Sequence, residues 1–167
     1  SEMIIWGGSG ISSNIGGRYN PTNNTWQTMT NVAAPSARLN HTAVWTGSEM
    51  IIWGGYDGAY LASGGIYDPQ SNSWRSTTQL CAPTGRIDHT TVWSGSQMIL
   101  WGGKIFSSNL NSGGAYDLAS DTWHATTFLA APQAMSSHTS IWTGNQMIIW
   151  GTNTLSTEPG MGDLFTP

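Results

Sequence analysis

The sequence predicts an all-β protein made of tandem four-stranded units. Three observations predict it. A stretch from His41 to Gly55 recurs from His89 to Gly103 and from His138 to Thr152, with histidine, tryptophan, glycine, methionine and a second tryptophan in the same order. Met3, Met50, Met98 and Met147 are spaced by 47, 48 and 49 residues, a period that marks a repeat architecture. No segment carries a sustained helical apolar period.

The repeat begins with His41 to Trp45, which alternates polar and apolar residues as a half-buried strand does. Gly47-Ser48 suits a two-residue hairpin turn, because glycine accepts the positive φ that such turns need. Met50 to Trp53 is continuously apolar, which suits a strand buried on both faces. The chain itself opens on this second half, Glu2 to Gly8. Segments predicted to be irregular follow each Trp-Gly-Gly: Ser9–Ile15, Tyr56–Ser63 and Lys104–Ser112, which differ in length and sequence. A second diglycine then opens a strand carrying tyrosine, at Gly16–Pro21, Gly64–Pro69 and Gly113–Leu118. A polar turn such as Pro69-Gln70-Ser71-Asn72 leads to a strand opening on Trp26, Trp74 or Trp123. A loop containing Pro35, Pro83 or Pro132 returns to the next histidine strand.

Four antiparallel strands in about 50 residues, repeated in tandem, form the pattern of a β-propeller blade. The diglycine after an apolar strand, the Tyr-Asp-Pro strand and the following tryptophan resemble the kelch motif, in register three times between Glu2 and about Gly151. The resemblance implies kelch-type propeller blades. It departs at three places. The first unit has no histidine strand. The last has Thr152 in place of the second glycine. Leu118 stands where earlier units have proline. The tail, Asn153 to Pro167, shows no recognisable strand pair, although Asp163-Leu164-Phe165 reads as a worn-down strand.

The expected organisation is a single kelch array over residues 1–167. A partial blade covers 1–40, full blades 41–88 and 89–137, and a partial blade with a degenerate tail 138–167. That is thirteen strands, or about three and a quarter blades, whereas closed propellers have roughly 4–8. Either the chain is part of a longer propeller, or several chains complete one ring. In a two-fold dimer of six blades, His138–Trp142 of one chain would complete the first unit of the other. The strand Gln146–Trp150 would then compete with Met3–Trp6. An eight-bladed dimer that uses the tail as a fourth blade is the fallback.

Composition narrows the function. The net charge is -4, and Arg18, Arg38, Arg75, Arg86 and Lys104 form no cluster, which argues against nucleic acid. No apolar run approaches the ~20 residues of a membrane span. One cysteine, Cys81, excludes an internal disulfide framework. It aligns with Ala33 and Ala130 and so reads as a small residue in a packed loop. The charge-poor, Ser/Thr/Asn/Gly-rich composition suggests a secreted or cell-surface protein.

No catalytic order, paired carboxylate, phosphate loop or zinc spacing stands out, so no enzyme activity and no cofactor are expected. Copper radical oxidases resembling galactose oxidase also carry kelch-type blades, but no distinguishable copper set is present here. No site residue of the sialic acid mutarotases can be placed either. The ten tryptophans all fall on repeat positions and read as packing between blades rather than as sugar platforms. His41, His89 and His138 recur in register. They read as a repeated structural hydrogen bond rather than a metal site, since no second ligand stands at short spacing. Asp68 and Asp117 read as turn caps. Arg38 and Arg86, three residues before their histidines, read chiefly as ties that hold loop carbonyls, with ligand binding as the lesser alternative.

Because strands alternate direction, the variable loops after Trp-Gly-Gly share one end of the blades with the loops before each histidine. Variable loops on a rigid scaffold are where binding resides. The candidates are Tyr56, Asp57 and Tyr60 from one loop, and Lys104, Phe106, Asn109 and Asn111 from the next. The kelch resemblance implies protein–protein contacts. A carbohydrate-binding or sugar-modifying protein is the alternative, and a self-assembling structural protein is the third reading.

Overall fold

The computed structural model describes residues 2–8, 14–126 and 131–151, together with the backbone of 161–165. The chain belongs to the all-β class, with every strand pair antiparallel. The first sheet contains β1 (Met3–Trp6), β2 (Gly16–Asn20) and β3 (Thr25–Thr28). The second contains β4 (Thr42–Trp45), β5 (Met50–Trp53), β6 (Gly64–Asp68) and β7 (Ser73–Ser76). The third is built from β8 (Thr90–Trp93), β9 (Gln97–Trp101), β12 (Gly113–Asp117) and β13 (Thr122–Ala125). A two-stranded hairpin, β10 (Lys104–Ile105) and β11 (Ser108–Asn109), rises between β9 and β12. The last sheet contains β14 (Thr139–Trp142), β15 (Met147–Gly151) and β16 (Met161–Phe165).

The histidine-led strands β4, β8 and β14 lie side by side at one edge of the sheets. The hairpin turns form as the glycine pattern requires. Thr46 N donates to Glu49 O at 2.9 Å, with Gly47 at φ 106° between them. In the polar turns, Asp68 Oδ1 accepts from Gln70 N at 2.8 Å and Asp117 Oδ1 from Ser120 N at 2.9 Å, so both carboxylates cap turns. Ser71 Oγ, which donates to Asp68 Oδ2 at 2.6 Å, together with Gln70 N holds the Asp68 carboxyl below the usual aspartate range, and Ser120 does the same for Asp117.

The core lies between sheets. Val44, Ile51, Trp53 and Ile66 of the second sheet share one buried cluster with Met98, Leu100, Tyr116 and Trp123 of the third. The same positions recur on both sides. Trp6 meets Met50, Ile52, Tyr67 and Trp74, while Val92, Ile99 and Trp101 meet Met147 and Ile149. Two hydrogen bonds reinforce each joint around the central sheets. Trp74 Nε1 donates to Thr30 O and Trp123 Nε1 to Thr78 O, both at 3.1 Å. Asn72 and Asp121 each accept from the preceding loop, at Thr30 N and Thr78 N, and from their own sheet, at Tyr67 and Tyr116.

Some expectations need correction. Sixteen strands form among the described residues, where thirteen were expected of the chain. The segment after Trp101 is not wholly irregular, since β10 and β11 form within it. The worn-down strand read at Asp163-Leu164-Phe165 does form, as part of β16, which pairs with β15 from Met147↔Phe165 to Gly151↔Met161. Strand pairing uses the main chain, so the loss of the Gly-Gly-Tyr signature did not prevent it. Strand β14 pairs along its length with β15 of its own chain and forms the edge of the last sheet. Cys81 is exposed rather than packed, with φ 60°. Trp26, Trp45 and Trp150 are also exposed, and all three lie at the two ends of the array or beside the open side of the first sheet.

Candidate loop-face binding site

The loops after β5 and β9 are anchored before they present anything. Arg38 is buried, and its Nη1 donates to Gly54 O at 3.1 Å and Ser63 O at 2.8 Å. Arg86 repeats this with Gly102 O at 3.0 Å and Ser112 O at 2.7 Å. Each arginine thereby pins both ends of one variable loop to the segment before a histidine. Each Nε donates back to its own segment, to Ser36 O and Thr84 O. Burial pushes Arg86 down to about 10 and lowers Arg38, whose charge the nearby Asp57 supports. Arg38 and Arg86 thus spend their donors on loop carbonyls and lie under the loop surface rather than on it.

Main-chain bonds carry the β4–β5 and β8–β9 ladders up into the loops at the same level. Leu39 and Tyr56 exchange two bonds at 2.9 Å, and Ile87 and Lys104 exchange bonds at 3.2 and 2.8 Å. On this frame the structure brings together three of the candidates named from sequence. The rings of Tyr56 and Tyr60 meet edge to face at 5.2 Å, as do those of Tyr60 and Phe106. Tyr60 comes from the second unit and Phe106 from the third. The joint is fixed by Phe106 N, which donates to the Tyr60 hydroxyl at 2.8 Å.

Phe106 sits at the tip of the β10–β11 hairpin, 78% exposed, with φ 53°. A bulky residue in left-handed backbone costs on the order of 1–3 kcal/mol, and such strain clusters at binding sites. The polar candidates flank the row. Asp57 Oδ2 accepts from Ser36 Oγ at 2.9 Å. Lys104 Nζ pairs with Asp88 Oδ2 at 2.9 Å, a contact that raises the lysine above its usual range. Asn109 Oδ1 accepts from Ser136 Oγ at 2.9 Å and ties the hairpin to the next loop. Asn111 is exposed, beyond the hairpin. Asp88 was not among the sequence candidates. Its signal was the place before His89 that Asn40 and Ser137 hold in the other units, all three with φ near 55°.

The histidines face inward. His89 Nε2 lies 2.9 Å from Thr42 Oγ1, and His138 Nε2 lies 2.8 Å from Thr90 Oγ1. Among the described residues no three His, Cys, Asp or Glu side chains converge as metal ligands would.

Sheets of four antiparallel strands, packed face to face in register and joined through one strand edge, define the blades of a β-propeller. The family profile described as the KLHDC2/KLHL20/DRC7 Kelch-repeats domain matches residues 1–166, and the chain belongs to the kelch-repeat family. No curated protein matches it significantly. Kelch-repeat domains generally mediate protein–protein interaction and are typically non-enzymatic.

Proposed function

We propose that this chain is a non-catalytic binding module that engages a protein partner through the loops after β5 and β9. The observation that carries the reading is the exposed aromatic row Tyr56–Tyr60–Phe106, in which two units are locked together and the outermost ring is held in strained backbone. Aromatic residues on rigid supports are the usual anchors of protein interfaces. Composition supports a setting outside the cell or on its surface.

We also infer that copies of the chain associate. Met3, Ile5 and Trp26 on the first sheet, and Ile141 and Trp150 on the last, are exposed. Their counterparts Met50, Ile52, Trp74, Val92 and Trp101 are buried between inner sheets. The two end faces therefore carry the two halves of one repeated joint, which favours head-to-tail stacking into a dimer.

The test is panning of a random-peptide display library on the immobilised protein, in parallel with a glycan array. Peptides enriched on the wild type and lost on a Tyr60→Ala/Phe106→Gly variant are expected. Exposed Leu80, away from these loops in the chain, is the control position, and Leu80→Ser should keep the peptides. Glycan binding through the same residues, without peptide enrichment, would overturn the protein-partner reading.

A further inference from the structure

At the aromatic row the main chain is already paired. Tyr56 is bridged to Leu39 on one side and to Tyr60 on the other, and Lys104 to Ile87 and Asn109. Phe106 N donates to the Tyr60 hydroxyl. A partner therefore gains no affinity at the row by adding a strand to an open edge. The acceptors beside the row are paired too. Asp57 accepts from Ser36 Oγ at 2.9 Å on one oxygen and from Ala59 N at 3.4 Å on the other. Asp88 holds Lys104, and Asn109 Oδ1 accepts from Ser136 Oγ. The charges offset one another in the same way, since Lys104 sits on Asp88 and Asp57 supports the buried Arg38.

What is left over is ring surface and hydroxyl protons. The Tyr60 oxygen accepts from Phe106 N, so its own proton is free to donate outward. The Tyr56 hydroxyl has no hydrogen-bond partner among the described residues. Tyr60 is half-buried between two exposed rings, Tyr56 and Phe106, which incline to it at 62° and 70°. Each outer ring lies 5.2 Å from Tyr60, so the two are no more than about 10 Å apart. The row is thus aromatic, without net charge, and offers donors rather than acceptors. Its chemical complement is a segment with carbonyl acceptors and apolar rings but few N–H groups.

We propose that the row Tyr56–Tyr60–Phe106 binds a proline-rich segment in the polyproline II conformation, with prolines three residues apart. The proposal rests on the protein-partner reading above and names the chemistry of that partner. Proline has no backbone N–H, so such a segment leaves no donor unpaired against the rings. Its carbonyls are solvated and unbonded within the helix, and two of them meet the tyrosine hydroxyls. One turn of this helix rises roughly 9 Å, so prolines at i and i+3 rest on the two sides of Tyr60. The segment is preformed and loses little entropy on docking, and aromatic-lined surfaces are what recognise it. The surface is equally preformed, because Arg38 and Arg86 pin the two loops that carry the rings.

The experiment is titration of the 167-residue protein with capped, labelled decaproline into the millimolar range, read by fluorescence anisotropy. Decaproline built from the D enantiomer, of the same composition and opposite hand, and a Gly-Ser decapeptide are the controls. Saturable binding of the L form is expected, at least tenfold tighter than that of either control. Tyr56→Phe keeps the ring and removes one donor, and should weaken binding about threefold or more. Phe106→Ala should weaken it at least tenfold, and Leu80→Ser should leave it unchanged. The peptide controls on unaltered protein keep the test independent of how any variant folds. Equal binding of the L and D forms overturns the inference, as does the absence of saturable binding of the L form. Failure here is distinct from failure of the partner reading. If peptides panned on the wild type and lost on Tyr60→Ala/Phe106→Gly carry no prolines three apart, the inference falls and the partner reading stands. Glycan binding through these residues without peptide enrichment overturns both.

Discussion

Thr42 Oγ1 stands 2.9 Å from Nε2 of His89, and the same contact joins Thr90 to His138 one unit further on. A hydroxyl and a neutral imidazole can satisfy each other in this way without burying a charge. The histidine row therefore links the inner strands of neighbouring sheets and has no need of a metal to explain it.

This arrangement predicts a specific acid sensitivity. Burial, aided by the charge of Arg86 and by His138 and His41, pushes His89 down to about 3, and burial pushes His138 to about 4. The unfolded chain takes up these protons near pH 6.5, whereas the folded chain refuses them until far lower. The stabilisation is complete above pH 6.5 and is lost as pH falls toward 3–4. Each pH unit below 6.5 costs about 1.4 kcal/mol per such histidine. Urea midpoints measured from pH 7 to 4.5 should fall steeply, and His89→Gln should flatten the slope. Asp68 and Asp117, whose pKa values are also lowered, act in a lower window, near and below pH 4. An unchanged slope in His89→Gln would remove His89 as the cause.

Trp74 and Trp26 occupy the same place in their units but not the same environment. Trp74 is buried, stacks obliquely on Tyr67 at 5.1 Å and donates to Thr30 O. Trp26 is 53% exposed. Trp74→Ala should cost about 3–5 kcal/mol, and Trp26→Ala under about 1 kcal/mol in protein diluted until it is monomeric. Chemical denaturation at pH 7 distinguishes them. A large loss from Trp26→Ala would mean that the first sheet is covered in solution, as stacking of copies would require.

The Arg86 clamp makes a different prediction. Arg86→Met keeps much of the buried volume but strands Gly102 O and leaves Ser112 O with Gly102 N as its donor. Stranding one buried acceptor costs about 1–3 kcal/mol. Hydrogen exchange should quicken across residues 102–112 first, since both ends of that loop are released. Lys104→Met, which breaks only the solvent-facing pair with Asp88, should change stability by under about 1 kcal/mol. Equal effects of the two would mean that the buried guanidinium is not what holds the loop.

What sequence made legible was what repeats. The register of Trp53 on Trp123 and of Tyr67 on Trp74 follows from residues that return every 47–49 positions. The turn-capping role of Asp68 and the carbonyl-tying role of Arg86 were legible for the same reason. What does not repeat was harder to read. Strand β16 is held by main-chain pairing and carries no repeat signature, so only its Asp163–Phe165 half was visible, as a worn-down strand. Among the described residues the β10–β11 hairpin forms in one unit only. Tyr60 and Phe106 were each visible as loop aromatics, but their contact crosses 46 residues and depends on how two unrelated loops lean together. Trp26 and Trp45 look like core by position. Their exposure follows from what lies beside the sheet, which a position in a repeat does not encode.

Gly54 offers the sharpest test of the histidine row. It has φ 73°, and a Cβ there would lie 2.6 Å from Cε1 of His89 and 3.2 Å from Arg86 O. Gly47 has φ 106°, with open space where its Cβ would go. Gly47→Ala therefore carries backbone strain alone, on the order of 1–2 kcal/mol. Gly54→Ala carries that strain and must also move a buried imidazole off Thr42. Its loss should be larger by at least another 1 kcal/mol, as overpacking of a filled site requires. The displaced ring should also titrate nearer its ordinary value, so NMR titration of His89 reports the displacement independently of stability. Two glycine variants of equal cost, with an unmoved His89 titration, would show that the imidazole yields freely and that the Thr42–His89 contact does not fix the joint between the second and third sheets.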